Sequence, residues 1–359
     1  MRWTIPILFF GVYTLAAVAA DAPASAPAAP VVPGLDLAAT RTAFLKLIDR
    51  PLVPAAVEIS DTGTTNGVAH AHFTYASFTG QRVPGIWAKP AQSTGRLPVV
   101  IMLHGTGGKK EDMKGQMEKY AQAGFLAVAI DGPYHGERAA PGAGNKDYQD
   151  AILAVWRGGP GHPFFYDTAW DVMRLIDYLQ TRDDVDPKRI GLMGVSKGGI
   201  ETYLTAAADP RIAVAVSCLG VESFRWALDN DLWSHRTETI PIALAAAAKD
   251  AGVATVDAAF VRKLYDKVAP GIYGQFDGPA MVPLIAPCPL LIINGELDLR
   301  TPKAAVQMCL DAAQPLYHAV SGDNRLKLLV QPNTPHKVTP AGYQAALDWF
   351  KQWLKPTAP

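Results

Sequence analysis

Residues 190–199 read IGLMGVSKGG, and the fold turns on how that stretch is read. The apolar run Ile190–Met193 suits a buried strand, and Gly199 with the IETYLTAAA that follows suits a helix. Gly194-Val195-Ser196-Lys197-Gly198 then stands at a strand-to-helix turn. Strand and helix backbones approach closely in such a turn, so a Cβ at either glycine would collide with neighbouring backbone. The serine is thrust above the sheet at the start of a helix, where a nucleophile belongs and a plain turn serine has no need to be.

Working outward, PVVIMLHG, FLAVAIDG, RIAVAVSCLG, CPLLIING and LKLLVQ are further short apolar strands. EDMKGQMEKYAQAG, YDTAWDVMRLIDYLQTR and AGYQAALDWFKQWL carry helical spacing between and after them. Continuous apolar strands alternating with helices predict a doubly wound, mostly parallel α/β sheet covered on both faces. VAHAHFTYASF and RVPGIWAKP, joined by a glycine-containing turn, predict a hairpin ahead of it. Residues 221–285, between the strands ending near Gly220 and starting near Pro289, are more than a crossover needs and predict an inserted helical cap.

Ligands of open parallel sheets bind beyond the C-terminal ends of the strands, so the residues after each strand are the candidates. A serine hydroxyl needs a base, and the base needs an orienting acid. Asp298, in GELDLRTP after one strand, is the favoured acid, with Glu296 as substitute; His336, in PNTPHKVTP after the next, is the base. The order Ser196, Asp298, His336 suits this sheet type. His104 and His135 precede the serine and are expected to brace loops. His70 and His72 share a strand face but lack a third metal ligand, and His162, His235 and His318 are expected in loops or on the surface. The oxyanion of an acyl-transfer intermediate needs backbone N–H donors: Lys197, at a helix N-terminus, and Thr106, in the glycine-rich HGTGG loop. The Lys197 side chain is expected only to pack or to pair with an acid. Tyr134, Trp156, Phe165, Tyr166 and Trp226 are candidate pocket residues.

Lys and Arg together number 33 and so do Asp and Glu, giving zero formal charge. No basic field attracts nucleic acid or anionic lipid, and a neutral small-molecule ester is the expected partner, with no cofactor required. Residues 1–20 predict a cleaved secretory signal, with a single Arg and an apolar run shorter than a bilayer span, and hence a periplasmic or secreted protein with no membrane attachment once cleaved. Residues 21–36 are an Ala/Pro-rich linker, and 37–359 form the catalytic domain. Three cysteines make no disulfide framework; whether Cys288 and Cys309 pair stays open.

HGTGGKKEDM, AIDGPYHGER, GVSKGG, GELDLRTP and TPHKVTP together resemble the landmarks of the α/β-hydrolase superfamily, in the branch of dienelactone hydrolases, acetyl xylan esterases and prolyl-oligopeptidase-type domains. The resemblance implies Ser196 as nucleophile, Asp298 as acid, His336 as base and backbone donors at Lys197 and Thr106. DGPYHGER resembles that branch's D-x-R-G-x-G loop but lacks its Arg, with Pro133 and Tyr134 in the middle of the pattern. Serine in place of cysteine argues against a dienelactone substrate. The expectation is a serine hydrolase cleaving carboxylic esters; a peptidase or amidase with the same triad and a non-catalytic binding module are the rivals.

Overall fold

The computed structural model describes residues 36–320 and 323–356; the expected signal and nearly all of the linker lie outside the described residues. In chain order come α1 (Leu37–Ile48), β1 (Glu58–Thr65), β2 (Val68–Phe78), β3 (Gln81–Pro90), β4 (Leu97–Leu103), α2 (Lys114–Gln122), β5 (Leu126–Ile130), α3 (Lys146–Trp156), α4 (Tyr166–Leu179) and β6 (Val185–Val195). There follow α5 (Lys197–Ala208), β7 (Ile212–Cys218), α6 (Phe224–Asp229), α7 (Trp233–Thr237), α8 (Pro241–Asp250), α9 (Ala258–Val268) and α10 (Gly278–Met281). The chain continues with β8 (Leu290–Gly295), α11 (Lys303–Val320), β9 (Leu326–Gln331) and α12 (Pro340–Leu354).

Among the described residues the strands form one sheet in the order β1-β2-β3-β5-β4-β6-β7-β8-β9. The β1–β3 meander is antiparallel and joins β5 antiparallel, while β5, β4, β6, β7, β8 and β9 run parallel. From β4 the chain winds to β5 on one side and then crosses back to β6 on the other. The switch point therefore falls between the C-terminal ends of β4 and β6, where the His104–Gly108 loop and Ser196 lie and where a crevice opens in such sheets.

All seven residues of β4 are buried because both faces are covered. Val99, Ile101 and Leu103 enter a core with α4 and α5, whereas Val100 and Met102 enter another with Met117 and Tyr120 of α2 and Phe350 of α12. Alternation along the strand thus serves two cores, and the sequence reads as one apolar run.

The expected insert divides into two parts. Helices α8 and α9 pack on α3, and α7 reaches the loop after β8 through Arg236, which donates to the Arg300 carbonyl (2.6 Å). Helix α10 and the turn Val282–Ile285 pack instead on α5 and α11 as an ordinary crossover. Helices α1, α3 and α11 and strand β1 are additions to the sequence reading. No described helix is long and apolar enough to cross a membrane, and Cys218, Cys288 and Cys309 are free thiols.

Phe350 is fully buried in the α2/α12 core with its ring 5.8 Å from that of Tyr120. Phe350→Ala is expected to lower unfolding free energy by about 3–5 kcal/mol through lost transfer and an unfilled cavity. Leu52→Ala, at a site 72% exposed, should change it by less than about 0.5 kcal/mol in the same urea titration.

Candidate active site

Ser196 sits at the N-terminus of α5 with φ 56° and ψ −115°, a conformation that side-chain-bearing residues rarely adopt. A Cβ on Gly194 would overlap the Gly198 carbonyl, and one on Gly198 would overlap the Leu103 carbonyl. Only glycine at both positions lets α5 lie this close to β4 and β6. The Ser196 N–H donates to the Cys218 carbonyl of β7 (2.9 Å), which pins the strained residue to the neighbouring strand.

Ser196, Asp298 and His336 come together. The Ser196 Oγ lies 2.8 Å from His336 Nε2, and His336 Nδ1 lies 2.7 Å from Asp298 Oδ2. A carboxylate only accepts, so Nδ1 carries the imidazole proton and Nε2 is left to accept from the serine hydroxyl. Asp298 is buried, and its Oδ1 accepts from the N–H groups of Arg300 (2.9 Å) and Thr301 (3.1 Å). Glu296, the substitute acid, faces away and accepts from the Asn333 N–H (2.8 Å).

Lys197 is the first residue of α5, so its N–H has no partner within the helix and stands at the positive end of the helix dipole. Its side chain runs the other way, fully buried, to an ion pair with Glu201, and its Nζ lies 5.6 Å over the Tyr148 ring. Glu201 also accepts from the Thr168 hydroxyl (2.6 Å).

In the loop after β4, the Gly105 carbonyl accepts from His104 Nδ1 (2.8 Å) and the Gly108 N–H (3.1 Å). Carbonyl and N–H of one trans peptide point in opposite directions, so these two bonds also fix the direction of the Thr106 N–H. His104 Nε2 accepts from the Gly132 N–H (3.0 Å), tying this loop to the one after β5. Burial, with the Lys197 charge adding to it, pushes the His104 imidazole down to about 4. His135 lies between the tilted rings of His104 and Tyr148 and is pushed down to about 2 by burial, then by Lys197 and His104.

The aromatic candidates separate. Trp156 packs edge-on against Phe260 (5.8 Å), Phe165 stacks on Phe164 (3.9 Å), and the Tyr166 hydroxyl donates to the Ala269 (3.3 Å) and Pro270 (3.2 Å) carbonyls. All three are buried in the core between α9 and the rest of the domain, which corrects their reading as pocket lining: the insert needs its own apolar filling. Tyr134 is exposed beside the β5 loop, and Trp226 is half-buried on α6. His72 lies away from the site, bonded to Ser60 and Glu137, in a cleft of about 540 Å³ between the N-terminal strands and α2 that also includes His70.

Sequence reasoning missed Arg236 on α7. It pairs with buried Glu222 and donates to the Arg300 carbonyl (2.6 Å) and the Thr301 hydroxyl (3.1 Å). It thereby holds the segment whose N–H groups orient Asp298. Burial pushes the Glu222 carboxyl up to about 8, with Arg236 opposing. Nothing in the local sequence of α7 signals this, since both partners are distant in the chain.

The acetyl xylan esterase family model matches residues 51–224, and the prolyl oligopeptidase family model matches residues 166–357, more than half of the chain. A putative hydrolase of Bacillus subtilis, YtaP, is 24% identical over 76% of this chain and 84% of its own. The acetyl esterase Axe7A of Xylanibacter ruminicola is 29% identical over 37% of this chain and 31% of its own. Among solved structures, acetyl xylan esterase 1 from Thermoanaerobacterium superposes with TM-score 0.63 at 18% identity, covering 89% of this chain and 93% of that one. Methylesterase BT1017 gives TM-score 0.63 at 19% identity, covering 89% and 63%. At these identities the superpositions establish the fold.

The two depressed histidines make stability pH-dependent. Both rings stay neutral in the folded chain where an unfolded chain takes up protons near pH 6.5. Their contribution is complete above about pH 6.5 and is lost as pH falls toward 4, at about 1.4 kcal/mol per pH unit per ring. In urea titrations between pH 6.5 and 4.5, His135→Gln should make the decline shallower by about that one-ring amount. An unaltered slope would show that His135 is not held neutral.

Proposed function

The chain belongs to the prolyl oligopeptidase family and is a hydrolase acting on ester bonds, and from that premise we propose that it opens carboxylic esters through a covalent acyl-enzyme on Ser196. The observation that carries this reading is the unbroken hydrogen-bond chain from the Ser196 hydroxyl through His336 to buried Asp298. The Ser196 Oγ attacks the ester carbonyl carbon as His336 Nε2 takes its proton. Negative charge on the carbonyl oxygen is met by the Lys197 and Thr106 N–H groups. Collapse of the intermediate expels the alcohol, which leaves with the proton held by His336, and the acyl group stays on Ser196. Water then gives a proton to His336, attacks the acyl carbon and releases the acid, and the proton returns to Ser196. Asp298 holds the ring and stabilises the imidazolium throughout.

Exposed Leu297 and Leu299 flank Asp298. An apolar rim suits an uncharged substrate. The acetyl esterase names among the relatives support a short acyl group on a carbohydrate or polyol alcohol, and the apolar leader supports export. The prolyl oligopeptidase model favours an amide reading as the second choice.

Ser196→Ala is expected to lower kcat for p-nitrophenyl acetate by at least about 10⁴-fold and to end labelling by a fluorophosphonate probe. Undiminished labelling would remove Ser196 from the nucleophile's role. Asp298→Asn should lower kcat by roughly 10³–10⁴-fold with the fold intact. Faster turnover of aminoacyl-anilides than of acetyl esters by the unaltered enzyme would favour the amide reading.

A further inference from the structure

The cleft between the N-terminal strands and α2 shares no residue with the Ser196 site, yet its volume of about 540 Å³ is that of a small-molecule pocket. Buried Val68 of β2, Ile86 and Ala88 of β3 and Met117 of α2 give it an apolar floor.

Charge is spread unevenly along it. At one end Glu137, from the loop after β5, meets His72 of β2 (3.0 Å). Glu137 also shares the buried Lys110 ammonium with Glu111 (3.0 Å) and with buried Asp131 (2.9 Å). Asp61 directly follows Ser60, the cross-strand partner of His72, and so stands at the same end. The other end is the β1–β2 turn, where Thr65 pairs with Val68 and the lining residues Thr65 and Asn66 are uncharged. Four strand residues separate His72 from Val68, about 13 Å.

The acidic end is under-compensated. Among the described residues Lys110 is the only lysine or arginine paired with Glu111, Asp131 and Glu137, and Asp61 has no ion pair. Lys114, the one ammonium of the lining itself, stands one helical turn before Glu118, which offsets it. The chain as a whole is formally neutral, so this negative surplus is local, and a cleft with low-dielectric walls concentrates its field. No three His, Cys, Asp or Glu side chains among the described residues stand close enough to hold a metal ion. The cation that suits the cleft is therefore organic, with an ammonium at the His72 end and an aliphatic chain along the apolar floor.

We propose that this cleft binds a small primary amine carried on an aliphatic chain. The site is separate from the Ser196 chemistry and does not depend on Ser196 as the nucleophile.

The test uses the full chain with isotope-labelled methionine methyl groups and hexylammonium as the probe, the Met117 signal being assigned by Met117→Leu. Hexylammonium should shift the Met117 signal saturably, and more weakly as ionic strength rises. Hexanol, which keeps the chain but not the charge, should bind about tenfold more weakly, and ammonium chloride at the same concentration should give no shift. Asp61→Asn combined with Glu118→Gln, both at exposed positions, should weaken hexylammonium about fivefold while p-nitrophenyl acetate turnover stays unchanged. Absence of a saturable Met117 shift, equal binding of hexanol and hexylammonium, or an affinity unmoved in the folded double variant overturns the proposal.

Discussion

The whole site hangs on bare backbone contact between α5 and the strands beneath it. A side chain at position 194 of β6 would collide with the Gly198 carbonyl of α5, and one at position 198 of α5 would collide with the Leu103 carbonyl of β4. With glycine there, the turn between β6 and α5 is tight enough to force Ser196 to positive φ. That strain persists only because the surroundings over-determine it: the sheet below, the helix above and the hydrogen bond to Cys218. The same turn aims the Ser196 hydroxyl at His336 and leaves the Lys197 N–H at the open end of the helix. In the proposed mechanism, nucleophile and one oxyanion donor are therefore a single structural feature.

The second donor of the proposed mechanism, the Thr106 N–H, is set by electrostatics as much as by shape. His104 can fix the Gly105 peptide while accepting from Gly132 only as a neutral ring, because an imidazolium has no acceptor nitrogen. Burial keeps it neutral, and the Lys197 ammonium reinforces this. The Lys197 charge is itself tolerable at full burial because Glu201 pairs with it and the Thr168 hydroxyl completes that carboxylate. A lysine next to a nucleophile invites a chemical role. Here its side chain is turned away to Glu201 and the Tyr148 ring, and the proposed mechanism uses only its backbone N–H.

The parallel half of the sheet is legible in the sequence because burial on both faces demands unbroken apolar runs, and each run ends at a glycine or a polar loop. Strand β1 is not: nearly every residue of EISDTGTT is exposed, so no alternation marks it, and only pairing with β2 makes it a strand. Helix α11 carries Pro315 within it, which local propensity reads as a break although packing on α10 sustains the helix. The Ser196–Asp298–His336 order is legible because strand ends fix where catalytic groups emerge. Aromatic residues near an insert do not reveal whether they face substrate or core: Trp156, Phe165 and Tyr166 became core because α9 needed an apolar surface to rest on.

Arg236 shows why the insert is more than decoration. The acid of a triad must be immobile, and Asp298 is held by two N–H groups of a loop with no regular structure of its own. That loop is held from the sheet, where Asn294 Nδ2 of β8 donates to the Thr301 carbonyl (2.8 Å) and the Thr301 hydroxyl donates to the Leu219 carbonyl (3.0 Å), and from outside it by Arg236 on α7, which reaches the Arg300 carbonyl, the Thr301 hydroxyl and Glu222. Through these contacts any shift of α7 is felt at the segment whose N–H groups hold Asp298, and so at the Asp298–His336 hydrogen bond.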